Sequence, residues 1–211
     1  MSAHFAPLHV HSHYSLLKAL PKIPELVAAA KAAGCEALAL TDLDNLYGAI
    51  EFYKECKKQG IKPIIGLDAN MGEGKRTLLY AENREGYHDL LAIVTKAHFV
   101  TPQTPTVTED MLKEYSSGII RIDPKDPSVA LQETFYLAPE DHRAWETLCA
   151  IGTGTPTDDG DINSEEKDFS FLSAEQMAKK FKPATLKKTL DIAAQCNLEL
   201  ELGKWVFPDF G

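Results

Sequence analysis

Short apolar runs alternate with helix-period patterns along the first third of the chain. Phe5 to Val10 reads as a strand. Pro24-Glu25-Leu26-Val27 opens a helix with proline in its first turn, and Gly34 stops it. Glu36 to Thr41 is a second buried strand. Asn45 is placed to cap a helix that carries Ile50, Phe52 and Tyr53 and ends at Gly60. Ile61 to Leu67 follows as a third strand. Strands joined by helices at this spacing predict βαβ units and a parallel sheet.

The pattern then loosens. Thr77 to Ala81 reads as a strand, and Gly86 to Ala97 as a helix with Leu90, Leu91 and Val94 on its inner stripe. Residues 100–107 form a loop, after which Thr108 caps a short helix. Gly118 to Ile122 and Thr134 to Leu137 are strand-like, with too few residues between them for a helical crossover. Pro139 to Ile151 is a helix, Ser173 with Gln176 forms a capping box, Pro183 starts the last helix, and Leu198 to Leu202 closes as a short strand. No internal repeat is visible. A single domain over 1–211 is expected, with a core over 1–151, an acidic loop over 152–168 and C-terminal helices and strand over 169–211.

Composition narrows the class. The 211 residues are 44% hydrophobic and 25% charged, which suits a soluble globule. No apolar run approaches the roughly 18 residues of a membrane span, and the N-terminus lacks the basic and apolar regions of a secretory signal. Cys35, Cys56, Cys149 and Cys196 form no CxxC pair, so a cytoplasmic chain with reduced thiols is expected. Residues 1–100 carry 11 basic and 11 acidic side chains, whereas residues 101–211 carry 11 and 20, accounting for the net charge of −9. Lysine and arginine clusters are no longer than Lys57-Lys58 or Lys179-Lys180, which argues against autonomous nucleic-acid binding.

The candidate chemistry lies in Leu8-His9-Val10-His11-Ser12-His13 at the end of the first strand. Alternation puts His9 and His11 on one side, at the mouth where α/β folds build sites. Two imidazoles at that spacing can share a metal ion, with carboxylates from later strand ends completing the shell. Asp42 and Asp68 stand at those ends. The plainer assignments are helix capping for Asp42 and Asp44, and a solvated loop carboxylate for Asp68. No P-loop, G-x-S-x-G or G-x-G-x-x-G motif competes.

Leu8 to Ser12, Ala37 to Asp42, Tyr47 to Tyr53 and Gly60 to Gly66 resemble the PHP (polymerase and histidinol phosphatase) domain that opens bacterial DNA polymerase III alpha subunits. The likeness continues through Asn83 to Tyr87, Tyr136 to Asp141, Thr189 to Asn197 and Gly203 to Pro208. It implies a distorted TIM-like (β/α)7 barrel whose strand ends hold up to three metal ions, used elsewhere in the superfamily for phosphoester hydrolysis. It also implies a domain that buttresses a polymerase body and, in some bacteria, docks the proofreading exonuclease. The polymerase palm would lie beyond Gly211.

The departures are specific. Lys18-Ala19 stands where the family has Asp-Gly, Leu43 and Arg76 where it has histidines, Asp68 where it has glutamate, and Glu133-Thr134-Phe135 where it has Asp-x-His. Barrel elements between Ile120 and Glu133, with a further ligand histidine, are absent. Fixed positive charge on Lys18 and Arg76 opposes cation binding, and Leu43 and Phe135 supply no lone pairs. The expectation is an incomplete barrel and a catalytically degenerate site without cofactor. The alternative is a residual zinc, manganese or iron ion on His9, His11, Asp42 and Asp68, serving a phosphoesterase or 3′–5′ exonuclease. An apolar flank opened by the missing segment would favour weak self-association.

Overall fold

The computed structural model describes residues 4–154 and 167–203. They form a mixed α/β structure around one four-stranded sheet of order β1-β2-β3-β4. Helix α1, Ile23–Ala32, has Pro24 in its first turn and buries Ile23, Leu26, Val27 and Ala30, an i, i+3, i+4, i+7 stripe. Gly34 follows it with φ 74°, a conformation that costs glycine least. Strand β1, Ala37–Leu40, is buried throughout. Helix α2, Ala49–Gln59, buries Ala49, Phe52, Tyr53 and Cys56 and ends at Gly60. Strand β2, Lys62–Gly72, pairs with β1 in parallel, Ala37 opposite Lys62 and Leu40 opposite Ile65.

Asn45 does not cap α2, which begins four residues later after Gly48. Its amide instead donates to the carbonyls of Tyr14 and Leu43 and accepts from the Tyr47 N–H, folding the turn ahead of the helix.

The parallel arrangement stops at β2, which runs on past Leu67 for another five residues. It turns through Glu73 and Gly74, both at positive φ, into β3, Lys75–Ala81. A two-residue connection joins only antiparallel strands. Accordingly β2–β3 is antiparallel, and so is the pairing of β3 with β4, Ile119–Ile122. Between them lie α3, Arg84–Val100, capped by the Asn83 side chain, and α4, Glu109–Glu114, capped by Thr108 as expected. Residues 123–133 hold turns and no helix, in keeping with the short connection.

Phe5 to Val10 and Thr134 to Leu137, read as strands from the sequence, make no regular ladder and bend at His9, Phe135 and Leu137. Pro7 has no N–H, the Ala6 N–H donates to the Thr189 hydroxyl, and the Val10 N–H donates to the Thr41 hydroxyl. Side chains thus take the donors a ladder needs. What remains are isolated parallel bridges, Val10 with Thr134 and Tyr136 with Ser170. The Pro7 and Val10 carbonyls still accept from Ala39 and Thr41, so this segment covers the outer edge of β1.

The remaining helices are α5, His142–Thr153, entered through a single 3-10 turn at Pro139–Asp141; α6, Ala174–Lys180, with the Ser173–Gln176 capping box; and α7, Pro183–Gln195. Leu198 to Leu202 forms no strand, its Leu200 N–H donating to the Tyr53 hydroxyl. Most of the predicted acidic loop lies outside the described residues.

Candidate metal centre

The Val10–Thr134 bridge sets the site. The His11 N–H donates to the Thr134 carbonyl at 3.1 Å and the Thr134 N–H to the His9 carbonyl at 3.0 Å. That pairing turns His9 and His11 to one side and lays Glu133 opposite them. Asp68 comes from the middle of β2, its N–H held by the Asp42 carbonyl. His9 Nε2 lies 2.9 Å from Asp68 Oδ2 and 3.7 Å from Glu133 Oε1; His11 Nε2 lies 3.8 and 3.7 Å from the same two oxygens. One donor atom from each of the four residues falls within 4.8 Å of all the others.

Three of the residues proposed from sequence, His9, His11 and Asp68, therefore converge. Asp42 does not join them. Its carboxylate accepts from the Ser12 N–H at 2.7 Å, the Ser12 hydroxyl at 2.8 Å and the Ser15 hydroxyl at 2.7 Å. It organises the loop that follows the histidines. Glu133 takes the fourth place, the acidic position of the run Glu133-Thr134-Phe135 that aligns with the family's Asp-x-His; Phe135 stands at the histidine position. Asp68 is also no loop carboxylate but a fully buried strand residue.

The replaced positions are equally informative. Arg76, from β3, donates through Nε to Asp68 Oδ1 at 2.6 Å and through Nη2 to Asp44 Oδ1 at 3.1 Å, and also meets the Asp68 carbonyl. Asp44 sits at φ 56° and is held independently by the Asn70 N–H at 2.7 Å. Phe135 stacks on the His11 ring with centroids 4.5 Å apart. Leu43 forms a bridge with Asp68, and the Lys18 carbonyl accepts from Trp145 Nε1.

Charges follow this wiring. Burial alone would raise the Asp68 carboxyl, but the hydrogen bond from His9 and the charges of His9, His11 and Arg76 outweigh it and hold it below the ordinary value. Burial likewise opposes Glu133, and His11 and His9 bring it below the usual range. At Asp42 burial wins over its three donors and pushes the carboxyl up. A cleft of about 450 Å³ opens onto His9, Asp68, Arg76 and Glu133, with Lys75 and Lys125 at its rim.

The donor set suits one transition-metal ion. Two imidazoles and two carboxylates are the borderline ligands that zinc, manganese and iron accept. The His11 ring is wholly buried, yet neither of its nitrogens has a hydrogen-bond partner; an ion at Nε2 would give that nitrogen one.

Residues 7–148 match the sequence pattern of the PHP domain. The DNA polymerase III alpha subunit of Halalkalibacterium halodurans is 32% identical over 265 aligned positions, covering 96% of this chain and 24% of the relative. That of Chlamydia pneumoniae is 40% identical over 130 positions, 54% of this chain and 10% of the relative. The chain thus spans about a quarter of the length of the Halalkalibacterium protein. A solved structure of endonuclease Q with a 27-mer duplex is 20% identical and superposes with a TM-score of 0.38 over 55% of this chain and 33% of that one. Among the described residues no helix is long and apolar enough to cross a membrane.

Proposed function

Because this chain belongs to the PHP domain family, we propose that it serves as the PHP module of a replicative DNA polymerase alpha subunit, a structural and docking element of DNA replication whose hydrolytic centre is reduced to a single-ion site at most. The fold fitting this reading is an incomplete (β/α)7 barrel: β1 to β4 continued by the segments at Phe5–Val10, Thr134–Leu137 and Ser170. The 265 aligned positions of the Halalkalibacterium relative exceed the whole 211-residue chain, which supports a shortened domain. The partners in this role are a polymerase body and the proofreading exonuclease, in the cytoplasm, with weak self-association when both are absent.

The observation that carries the reading is the Arg76 guanidinium on Asp68. Hydrolytic clusters with two metals use carboxylates to hold ions roughly 3.5–4 Å apart. Here Asp68 Oδ2 faces His9 while Oδ1 is taken by a fixed cation 2.6 Å away, so this carboxylate has one oxygen to offer. His9, His11, Glu133 and that single oxygen would hold one divalent ion, which when bound supplies Lewis-acid polarisation of a phosphoryl oxygen. The chain's own residues do the rest: Arg76 neutralises Asp68, and Thr134 and Val10 fix the spacing of the histidines.

A second reading, a metal-dependent phosphoesterase or 3′–5′ exonuclease, is favoured by the unpartnered His11 nitrogens. Hydrolysis of a nitrophenyl phosphate and of single-stranded DNA, measured with manganese or zinc, separates the two. Background rates are expected; activity that vanishes in His9→Ala would overturn the structural assignment.

A further inference from the structure

A metal-ligating histidine normally donates its second ring N–H to a carboxylate, carbonyl or water, and that bond fixes both tautomer and ring plane. His11 has no such bond: Nδ1 is buried and has no partner. Its ring plane is set by something else. The Phe135 ring lies against it at 4.5 Å with an interplanar angle of 10°, and the Trp145 ring continues the stack behind Phe135 at 5.9 Å and 19°. The Phe169 ring packs edge-on at 5.4 Å.

This stack is anchored at each layer. The Phe135 N–H donates to the Phe169 carbonyl at 3.0 Å, and its carbonyl accepts from the Leu20 N–H at 3.0 Å, so the backbone beneath the ring cannot swing. Trp145 is tied through Nε1 to the Lys18 carbonyl at 2.8 Å. His11 also meets the His9 ring in a T-shaped contact, centroids 5.0 Å apart and planes at 68°. The stacked Phe135 face favours one plane for the imidazole, in which Nε2 lies 3.8 Å from Asp68 Oδ2 and 3.7 Å from Glu133 Oε1.

We propose that Phe135 is a positioning residue of the metal centre: its stacked ring, backed by Trp145, holds the plane of the His11 ring, which elsewhere a hydrogen bond to Nδ1 holds. The role rests on the reading of His9, His11, Asp68 and Glu133 as a one-ion centre. Phe135 gives no lone pair to the ion and acts only through His11.

The test uses Phe135→Leu, which keeps apolar bulk without a ring face, and Phe135→Tyr, which restores the face. Zinc affinity, measured by competition with a chromophoric chelator, is expected to fall about tenfold in the leucine variant, the lower end of what losing an outer-shell partner costs, and to return in the tyrosine variant. In the metal-free protein the His11 ring protons should carry a ring-current shift in the wild type and the tyrosine variant and lose it in the leucine variant. Trp145→Leu leaves Phe135 in place while removing the layer behind it and the bond to the Lys18 carbonyl; it should give a smaller shift in the same direction, which covers the case where Phe135→Leu fails to fold.

Unchanged His11 resonances in Phe135→Leu, or a lost ring current with unchanged zinc affinity, would overturn the proposal. A wild-type protein that binds no zinc while the resonances behave as expected would overturn the one-ion reading instead and leave the orienting role of Phe135 standing.

Discussion

Asp42 and Arg76 show how much a single side chain can decide here. Asp42 has two oxygens and three donors, so an amide at that position would turn its NH2 toward N–H and hydroxyl donors. Asp42→Asn is expected to destabilise the fold by about 1–3 kcal/mol, the cost of buried polar groups left unsatisfied. Its pH signature has a definite sign. Burial raises the Asp42 carboxyl in the native state above 3.8, so the folded chain binds that proton more tightly than the unfolded one. Its contribution to stability is present at low pH and declines as pH rises above 3.8. Urea melts of the two proteins compared across that range isolate this term: the stability difference between wild type and Asp42→Asn should shrink as pH rises above 3.8. For Arg76→Met, Asp44 and Asp68 would face each other without a cation. Removing one partner of a fully buried pair costs roughly 3–5 kcal/mol; with the Arg76 side chain 30% exposed, about 2–3 kcal/mol is expected. Chemical denaturation checks it, and a loss well under 1 kcal/mol would show that solvent already screens the pair.

At the level of elements, α3 is seated by an absence of side chain. A Cβ built on Gly86 would lie 1.9 Å from the Gly118 carbonyl oxygen, a backbone atom that precedes β4 and cannot step aside. Gly86→Ala should cost about 3 kcal/mol or more, as an overpacked contact. Gly60→Ala meets nothing within 4 Å but keeps φ at 76°, so only the left-handed backbone resists, about 1–2 kcal/mol. Thermal melts of the two variants side by side test that order. Elements of this kind were legible where periodicity alone specifies burial: α1, α2, β1 and α3 are found close to their predicted spans. Phe5 to Val10 was legible as buried but not as irregular, because that depends on the hydroxyls of Thr41 and Thr189, remote in sequence. Asp68 ended the predicted strand because a charge reads as surface. It continues the real one because His9 and Arg76 arrive from other elements to receive it. Glu133 had a signal, its place in the run aligned with Asp-x-His, but the loss of the histidine at Phe135 masked it; the bridge at its neighbour Thr134 brings it to the site.

Over the whole molecule, the β1 edge of the sheet is covered by the N-terminal segment, while β4 protects the opposite edge by shortness and by Arg121, which pairs with Glu109 at 2.6 Å. Self-association through an edge is therefore not the expected route. The exposed apolar residues offer another: Phe99 is 82% and Val100 63% exposed, adjacent at the end of α3. Sedimentation at several concentrations should show a weak dimer in the wild type that Phe99→Glu abolishes. A dimer that persists in that variant would move the interface elsewhere.

The seven residues from Phe5 to His11 also impose an order of events on synthesis. Their partners are far along the chain: Asp68 lies 59 residues beyond His9, and the hydroxyl that receives the Ala6 N–H lies 183 residues beyond it. At roughly 5–20 residues per second a ribosome needs about 10–40 s to deliver Thr189 after Ala6. During that interval Phe5, Leu8 and Val10, all buried at the end, have no completed wall to enter. Closure of such distant contacts makes folding slow. An ion held by His9, His11, Asp68 and Glu133 would report that segments 59 and more residues apart have met.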